Sequence, residues 1–150
     1  GEQPDYPCPP SRFNRIGTCT GDLIGGNLSL VENLCGSKSD VNTDHKILFL
    51  EDVGEYLYKI DSMFTHLKRN GKLKKLNGLI LGNFRIKPDD PGEEFGATLY
   101  DIVLDKVKDY AYPVCFDFPM GHVKENYALI HGMRHELKVQ SDFVTLKKSV

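Results

Sequence analysis

Several features are missing from this sequence, and each absence removes a class of protein. No run of about 18 apolar residues occurs, so no membrane-spanning helix is expected. These residues contain no apolar core of a signal peptide either, but the start at Gly1 without a methionine leaves room for a targeting signal upstream. No G-K-[ST] or G-x-G-x-x-G loop is present, which argues against the common phosphate-binding motifs. No serine stands in a G-x-S-x-G elbow, so the sequence offers no obvious nucleophile for a hydrolase.

The sequence also lacks an excess of charge of one sign. It has 19 lysines and arginines against 21 aspartates and glutamates, and its net charge is -2. The lysines are dispersed, and the short clusters at 72–75 and 147–148 are typical of a solvated surface. We therefore expect no nucleic-acid partner and no membrane surface as a partner. A length of 150 residues predicts one domain with one core.

The four cysteines, Cys8, Cys19, Cys35 and Cys115, have no partner at zinc-ligand spacing, and no metal site is predicted from them. An even number would permit two disulfides. However, Cys115 lies in an apolar run and Cys35 closes a segment with helical periodicity, which is how buried free cysteines are used. Reduced thiols, and with them a cytoplasmic location, are the prediction.

The hydrophobic pattern predicts an α/β fold with a mixed sheet. A central strand–helix–strand–helix–strand series implies parallel strands joined by right-handed crossovers, and the end of the chain reads as short antiparallel strands. Residues 21–27 are interpreted as a turn. The predicted helices are 28–34, 54–70 and 95–110, and the predicted strands are 13–20, 46–51, 76–84, 113–118, 127–131, 133–140 and 143–148.

The first eleven residues contain four prolines and are interpreted as an extended lead-in or linker, with the folded domain at 12–150. Within that domain, Gly25 and Gly26 permit positive φ angles or a close approach of backbones. Tight packing is the favoured interpretation of this pair, and a backbone role near a ligand is the alternative. Asn27 is predicted to cap the helix that follows, and Gly36 to end it.

Two acids, Glu51 and Asp52, follow a strand that is too apolar to be half solvated. A carboxylate at the end of a buried strand is costly unless it has a partner, so Glu51 is a candidate for chemistry. Another apolar strand leads to Gly121 and His122. Ligands bind at the carboxyl ends of parallel strands, where Glu51 could orient the His122 imidazole as a general base. The alternative is that Glu51 pairs with a lysine or caps a helix, and that His122 merely follows a turn.

Other candidates are interpreted as structural. Asp52 or Glu55 is expected to cap the helix predicted to start at Gly54. His131 and His135 are four residues apart, but Gly132 between them indicates a turn, which disfavours helical metal-ligand geometry. Two tyrosines, Tyr56 and Tyr58, are expected to pack rather than to bind.

Four ordered segments between residues 21 and 132 resemble the C-terminal domain of LD-carboxypeptidases, a serine peptidase family that also contains microcin-immunity peptidases. The resemblance implies a domain of swivelling β/β/α type. The four segments are GDLIGGNLSLVENLCGS, KILFLEDVGEYLYKIDSMFTHLKRNGKL, LNGLILGNF and YPVCFDFPMGHVKENYALIHG.

The resemblance also implies roles for two residues. The glutamate of the family's L-E-D motif is Glu51, which would orient the base, and the histidine of its G-H motif is His122, which would be the general base. The nucleophilic serine would lie in an N-terminal domain that these residues do not contain. Family members remove the terminal D-alanine of murein peptides in the cytoplasm during cell-wall recycling, without metal or cofactor, and dimers are typical of them.

The sequence departs from the family pattern at two places. The family's aspartate–arginine pair is Asp61-Ser62 here, so any salt bridge of that arginine is lost, and its Gly-Thr is Gly36-Ser37.

Residues Gly25, Gly26 and Asn27 are expected to shape the substrate cleft.

The leading expectation is a fragment of a longer serine carboxypeptidase that is inactive by itself, which Gly1 and the proline-rich start favour. Its partners would be the missing serine-bearing domain, a peptidoglycan-derived peptide and a second copy in a homodimer. The alternatives are a microcin-type amide hydrolase acting on a nucleotide–peptide conjugate, and a non-catalytic binding module with the same fold.

Overall fold

The computed structural model describes residues 6–121, 124 and 126–150 and confirms a mixed α/β fold. The described residues form three helices: α1 (Leu28–Leu34), α2 (Leu57–Arg69) and α3 (Leu99–Val107). They also form seven strands: β1 (Tyr6–Cys8), β2 (Gly17–Asn27), β3 (Ile47–Glu55), β4 (Gly78–Ile86), β5 (Val114–Cys115), β6 (Arg134–Val139) and β7 (Val144–Lys148).

These strands join in the order β1-β7-β6-β2-β3-β4-β5. Strands β2 to β5 run parallel, as the helices between them require, whereas β1, β7 and β6 are antiparallel and join the parallel part through β2. The parallel centre and the antiparallel end strands were both predicted from the sequence, and both are confirmed.

The parallel strands separate two apolar cores because successive side chains point to opposite faces. Leu48 and Leu50 of β3 pack with the helices, whereas Ile47 of the same strand packs with β1, β6 and β7. The sheet curls so far that its two edges meet: the sulfur atoms of Cys8 on β1 and Cys115 on β5 are 4.0 Å apart. The result is the three-layer β/β/α arrangement that the resemblance implied.

The prediction of a turn at residues 21–27 is wrong, because these residues continue strand β2. Gly25 and Gly26 are extended with φ angles of 137° and 148°, a region open mainly to glycine. A Cβ on Gly25 would overlap the carbonyl oxygen of Phe49 on β3. The glycines therefore serve a close approach of two strands, which is the packing role favoured from the sequence.

The predicted start of helix 54–70 is also wrong, because β3 continues to Glu55 and α2 begins at Leu57, after the N-cap Tyr56. Glu55 thus ends a strand and does not cap the helix. Tyr56 and Tyr58 stack on each other with their centroids 5.8 Å apart, and Tyr58 is mostly exposed. Their predicted packing role holds between the two rings but does not extend to the core.

Four other elements differ from the prediction. Helix α3 begins later than residue 95, because Thr98 and Asp101 form a capping box that fixes its first turn. Strand β5 contains two residues, and residues 127–131 form no strand. Part of the proline-rich lead-in does join the sheet, where β1 pairs with β7.

Two smaller predictions are confirmed. The Asn27 side chain accepts a hydrogen bond from the Leu30 amide at the start of α1, and Gly36 follows its end with a φ of 80°. Asp61, whose usual neighbour in the family is an arginine, pairs with Lys106 of α3 at 2.7 Å. Asp61 of α2 therefore does form an ion pair, and the cation comes from α3 rather than from the neighbouring residue in the sequence.

The described part of the chain contains no helix that is long and apolar enough to cross a membrane.

The four cysteines are free thiols, and their reactivity gives a first testable prediction. Burial raises the pKa of the Cys19 thiol to about 11. The thiolate is the reactive form, so at pH 8 only about 0.1% of Cys19 is ionised, roughly a hundredfold less than an ordinary thiol. We expect alkylation of native Cys19 by iodoacetamide to be slow at pH 8 and to rise about tenfold per pH unit up to pH 10. Peptide mass mapping measures the rate at which Cys19 is alkylated, with the urea-unfolded chain as control. Equal rates in the native and unfolded chain at pH 8 would contradict the prediction.

Candidate active-site cleft

Glu51 lies in the middle of β3, at the point where the pairing of β3 with β2 ends, and on the face of the sheet opposite to the helices. Phe49, two residues earlier, packs on the same side, and Leu50 between them packs with the helices. Ligands bind beyond the carboxyl ends of parallel strands, and Glu51 lies beside the carboxyl end of β2, whereas its catalytic role stays a prediction.

A β-bulge lies directly opposite Glu51. Leu50 pairs with Leu81 and Asp52 pairs with Phe84, so one residue of β3 faces two of β4, Gly82 and Asn83. Bulges are frequent beside active sites because the extra residue re-aims a side chain and ends regular pairing. The sequence carries no clear sign of this bulge other than Gly82 itself.

Gly82 allows the segment after β5 to lie close to the bulge. A Cβ on Gly82 would be 2.6 Å from Met120 Cγ and 2.9 Å from the Met120 carbonyl oxygen. That same oxygen accepts a hydrogen bond from the Asn83 amide at 2.9 Å. The glycine and the bulge together hold Met120 against the sheet beside Glu51.

Gly121, the next residue, packs on Glu51 itself. A Cβ on Gly121 would lie 3.3 Å from Glu51 Cβ, Cγ and Oε2, and the φ angle of Gly121 is 96°. Its amide donates a hydrogen bond to Asn126 Oδ1 at 3.0 Å. The predicted base, His122, lies outside the described residues, so the structure does not test its role.

A cavity of about 220 Å³ surrounds this contact. Of its lining residues, the sequence analysis singled out Gly26, Glu51 and Gly121 and missed the others, most of which are apolar. The Tyr127 ring packs with Tyr6 and Phe118, which are distant in the sequence or lie before the G-H pair, so no local pattern marks it as a lining residue. The missed lining residues are Phe49, Met120, Asn126, Tyr127 and Leu129.

The three residues predicted to shape the cleft have different places. Gly26 lines the cavity and leaves open space where a side chain would be, and Gly25 packs against β3 instead. The side chain of Asn27 caps α1 and also donates to Asp52 at 3.0 Å. The main chain of Asn27 lies opposite Glu51 in the β2–β3 register.

Asp52 does not cap α2, contrary to the prediction. It is 4% exposed and faces the helix layer, where its carboxylate accepts bonds from Asn27 and from both the amide and the hydroxyl of Ser29. Asp52 therefore accepts hydrogen bonds from the first turn of α1. This helix precedes Asp52 in the chain and lies beside it in space.

The two histidines considered for metal binding have different surroundings in the fold. His135 is fully buried on β6, with Nδ1 2.8 Å from the Met133 carbonyl oxygen, and His131 contacts the edge of the Phe49 ring. Among the described residues, no group of three or more His, Cys, Asp and Glu side chains could hold a metal ion.

The fold and the cleft define a mixed α/β domain that presents a glutamate at the carboxyl ends of its parallel strands. Residues 20–137 match the family described as the LD-carboxypeptidase C-terminal domain, and the chain belongs to this family.

Individual relatives agree with this assignment. A putative carboxypeptidase of Synechocystis sp. is 32% identical over 81% of this chain and 40% of its own length. A probable murein peptide carboxypeptidase of Bacillus subtilis is 28% identical over 89% of this chain and 42% of its own length. The crystal structure of muramoyltetrapeptide carboxypeptidase from Oxalobacter formigenes superposes with a TM-score of 0.84 at 28% identity, covering 98% of this chain and 50% of that one. The chain thus spans half or less of the length of these relatives.

Proposed function

We propose that this chain is the C-terminal domain of a serine-type LD-carboxypeptidase that removes the terminal D-alanine from murein tetrapeptides. It would supply Glu51 and His122 to a Ser-Glu-His triad. The observation that carries the proposal is the packing of Gly121 on Glu51, because His122 is the next residue in the sequence. The family and the names of the relatives support the reaction class and the substrate class.

The proposed mechanism follows the logic of serine hydrolases. A serine hydroxyl from the N-terminal domain attacks the carbonyl carbon that precedes the terminal D-alanine, and His122 takes its proton. His122 then gives this proton to the leaving amine of D-alanine, which leaves an acyl-enzyme that water hydrolyses with His122 again as base. Glu51 fixes the imidazole tautomer and stabilises the imidazolium that forms twice in the cycle.

The proposed enzyme requires a second, serine-bearing domain. The cleft beside Glu51 is the surface on which the serine-bearing domain would close, and the share of the relatives that the chain spans supports such a domain. Action in the cytoplasm during cell-wall recycling, and a homodimer, are part of the same proposal.

A direct test compares the 150-residue chain with a protein in which the serine-bearing domain precedes it. We expect the chain alone to release no D-alanine from a murein tetrapeptide, because the chain supplies no nucleophile in this mechanism. The longer protein should release one D-alanine per peptide, measured by chromatography and mass spectrometry. Its serine-to-alanine variant is the control. Release by the chain alone would show that the nucleophile has been misplaced, and inactivity of the longer protein would favour a non-catalytic module.

A further inference from the structure

Two consecutive acids on β3 point to opposite faces of the sheet. Glu51 faces the cleft, and Asp52 faces the helix layer, as the alternation of a strand requires. A carboxylate that is 4% exposed must be compensated by hydrogen bonds, since its desolvation is otherwise too costly. The identity of its donors therefore shows what the residue does.

The donors come mainly from the junction between β2 and α1. Asn27 Nδ2 donates to Asp52 Oδ1 at 3.0 Å, and the Ser29 amide and hydroxyl donate to Oδ2 at 3.0 and 2.5 Å. The fourth donor is the amide of Val53, the next residue, at 2.8 Å. Bonds to a charged acceptor are about twice as strong as neutral ones, so this one carboxylate clamps the junction to β3.

The clamped junction is also a wall of the cleft. Gly26 lines the cavity with Glu51, and Asn27 is its next residue and the register partner of Glu51. The Asn27 amide group is fixed at both ends, since Oδ1 accepts from Leu30 and Nδ2 donates to Asp52. Asp52 is thus the residue of β3 that holds this side-chain amide.

We propose that Asp52 is a positioning residue that holds the Gly26–Asn27 junction in place beside Glu51, so that this wall of the cleft is formed before the peptide binds. The inference rests on the proposed function for its effect on the peptide, but the clamp itself can be tested in the chain alone. A preformed wall favours bound substrate and transition state alike, and its loss therefore raises KM more than it lowers kcat.

The clamp is first tested by NMR on the 150-residue chain. We expect the side-chain amide protons of Asn27 to exchange with water at least about tenfold more slowly than those of the exposed Asn126. Asp52→Asn, which keeps the size and removes the charge, should abolish this protection. Ser29→Ala removes only the hydroxyl donor and leaves the backbone amide bond and the Asn27 bond, so protection should persist in that variant. If Asp52→Asn does not fold, the native and Ser29→Ala spectra still decide the matter, and fast exchange of Asn27 in both would overturn the proposal.

The effect on binding is tested in the longer protein that carries the serine-bearing domain. Asp52→Asn should raise KM for the tetrapeptide roughly tenfold and change kcat by less than about threefold. The matched control is Asp101→Asn, which breaks the capping box of α3 away from the cleft and should leave KM unchanged. Since Asp52 is held to act through Asn27, Asn27→Ala and Asp52→Asn together should raise KM less than the product of their separate effects.

Three results would overturn the inference: equal kinetics of the Asp52 and Asp101 variants, independent effects of the Asn27 and Asp52 changes, or a fall in kcat at constant KM. If the unaltered longer protein does not cleave the peptide, the proposed function fails, and the exchange measurements on Asn27 still decide whether the clamp exists.

Discussion

Glu51→Gln should lower kcat of the longer, serine-bearing protein on a murein tetrapeptide by at least about a thousandfold, and His122→Ala by a similar factor or more. The glutamine keeps the size of Glu51 but cannot stabilise an imidazolium, and it can hold the imidazole in the wrong tautomer. Gly121 packs on the Glu51 side chain, so little space is available for the glutamine to rearrange. KM should change little, because neither side chain is proposed to bind the peptide in its ground state.

The measurement is the rate of D-alanine release under saturating peptide, with circular dichroism to show that each variant is folded. Glu136→Gln on β6 is the matched control, since it makes the same change on another strand that does not line the cleft. The double variant Glu51→Gln/His122→Ala should be about as slow as His122→Ala alone, because an orienting acid has no use without its base. A Glu51→Gln protein with a kcat within tenfold of the native value would show that Glu51 is not part of the triad. If the losses of the two single variants multiplied in the double variant, Glu51 and His122 would act independently.

The acids of the L-E-D motif show how far the sequence could predict the site. An apolar run followed by a carboxylate singled out Glu51, because burial of charge is costly whatever the fold, and Glu51 does line the cleft. The same reasoning misplaced Asp52, which was assigned to the nearest helix in the chain. Its partners, Asn27 and Ser29, are 25 and 23 residues earlier and become neighbours only through the parallel pairing of β2 and β3.

The predicted boundaries of β2 and β3 were wrong for a related reason. A pair of glycines is a strong turn signal, and Gly54 looked like the start of a helix. In both strands the glycines serve inter-strand geometry: Gly25 permits close approach to β3, and Gly54 has a φ of 79° at a second register shift with β4. Local sequence rules cannot show which neighbouring strand a glycine must accommodate, whereas the helical periodicity of α1 and α2 is a local pattern, and both helices were found.

The Gly25-Gly26 pair leads to the largest expected effect on stability. Gly25→Ala should destabilise the domain by about 4 kcal/mol or more, a large share of the ~5–15 kcal/mol that holds a domain of this size together. The new Cβ would overlap the Phe49 carbonyl oxygen and lie 2.9 Å from the Phe49 carbonyl carbon and amide nitrogen. These are backbone atoms in the centre of the parallel sheet, so they cannot move aside without breaking the β2–β3 pairing. Urea unfolding followed by circular dichroism measures the change, and aggregation on expression counts as the extreme of the expected result.

Gly26→Ala separates the clash from the backbone strain. Gly26 has nearly the same φ angle, 148° against 137°, but nothing lies within 4 Å of its Cβ position. An alanine there should cost only the strain of that conformation, about 1–3 kcal/mol, and the variant should fold. Its methyl group would enter the cleft, so in the longer protein it should weaken binding of the peptide while the sheet stays intact. If both variants lost the same stability, the close approach of β2 and β3 at Gly25 would not be what requires a glycine there, and φ alone would explain the pair.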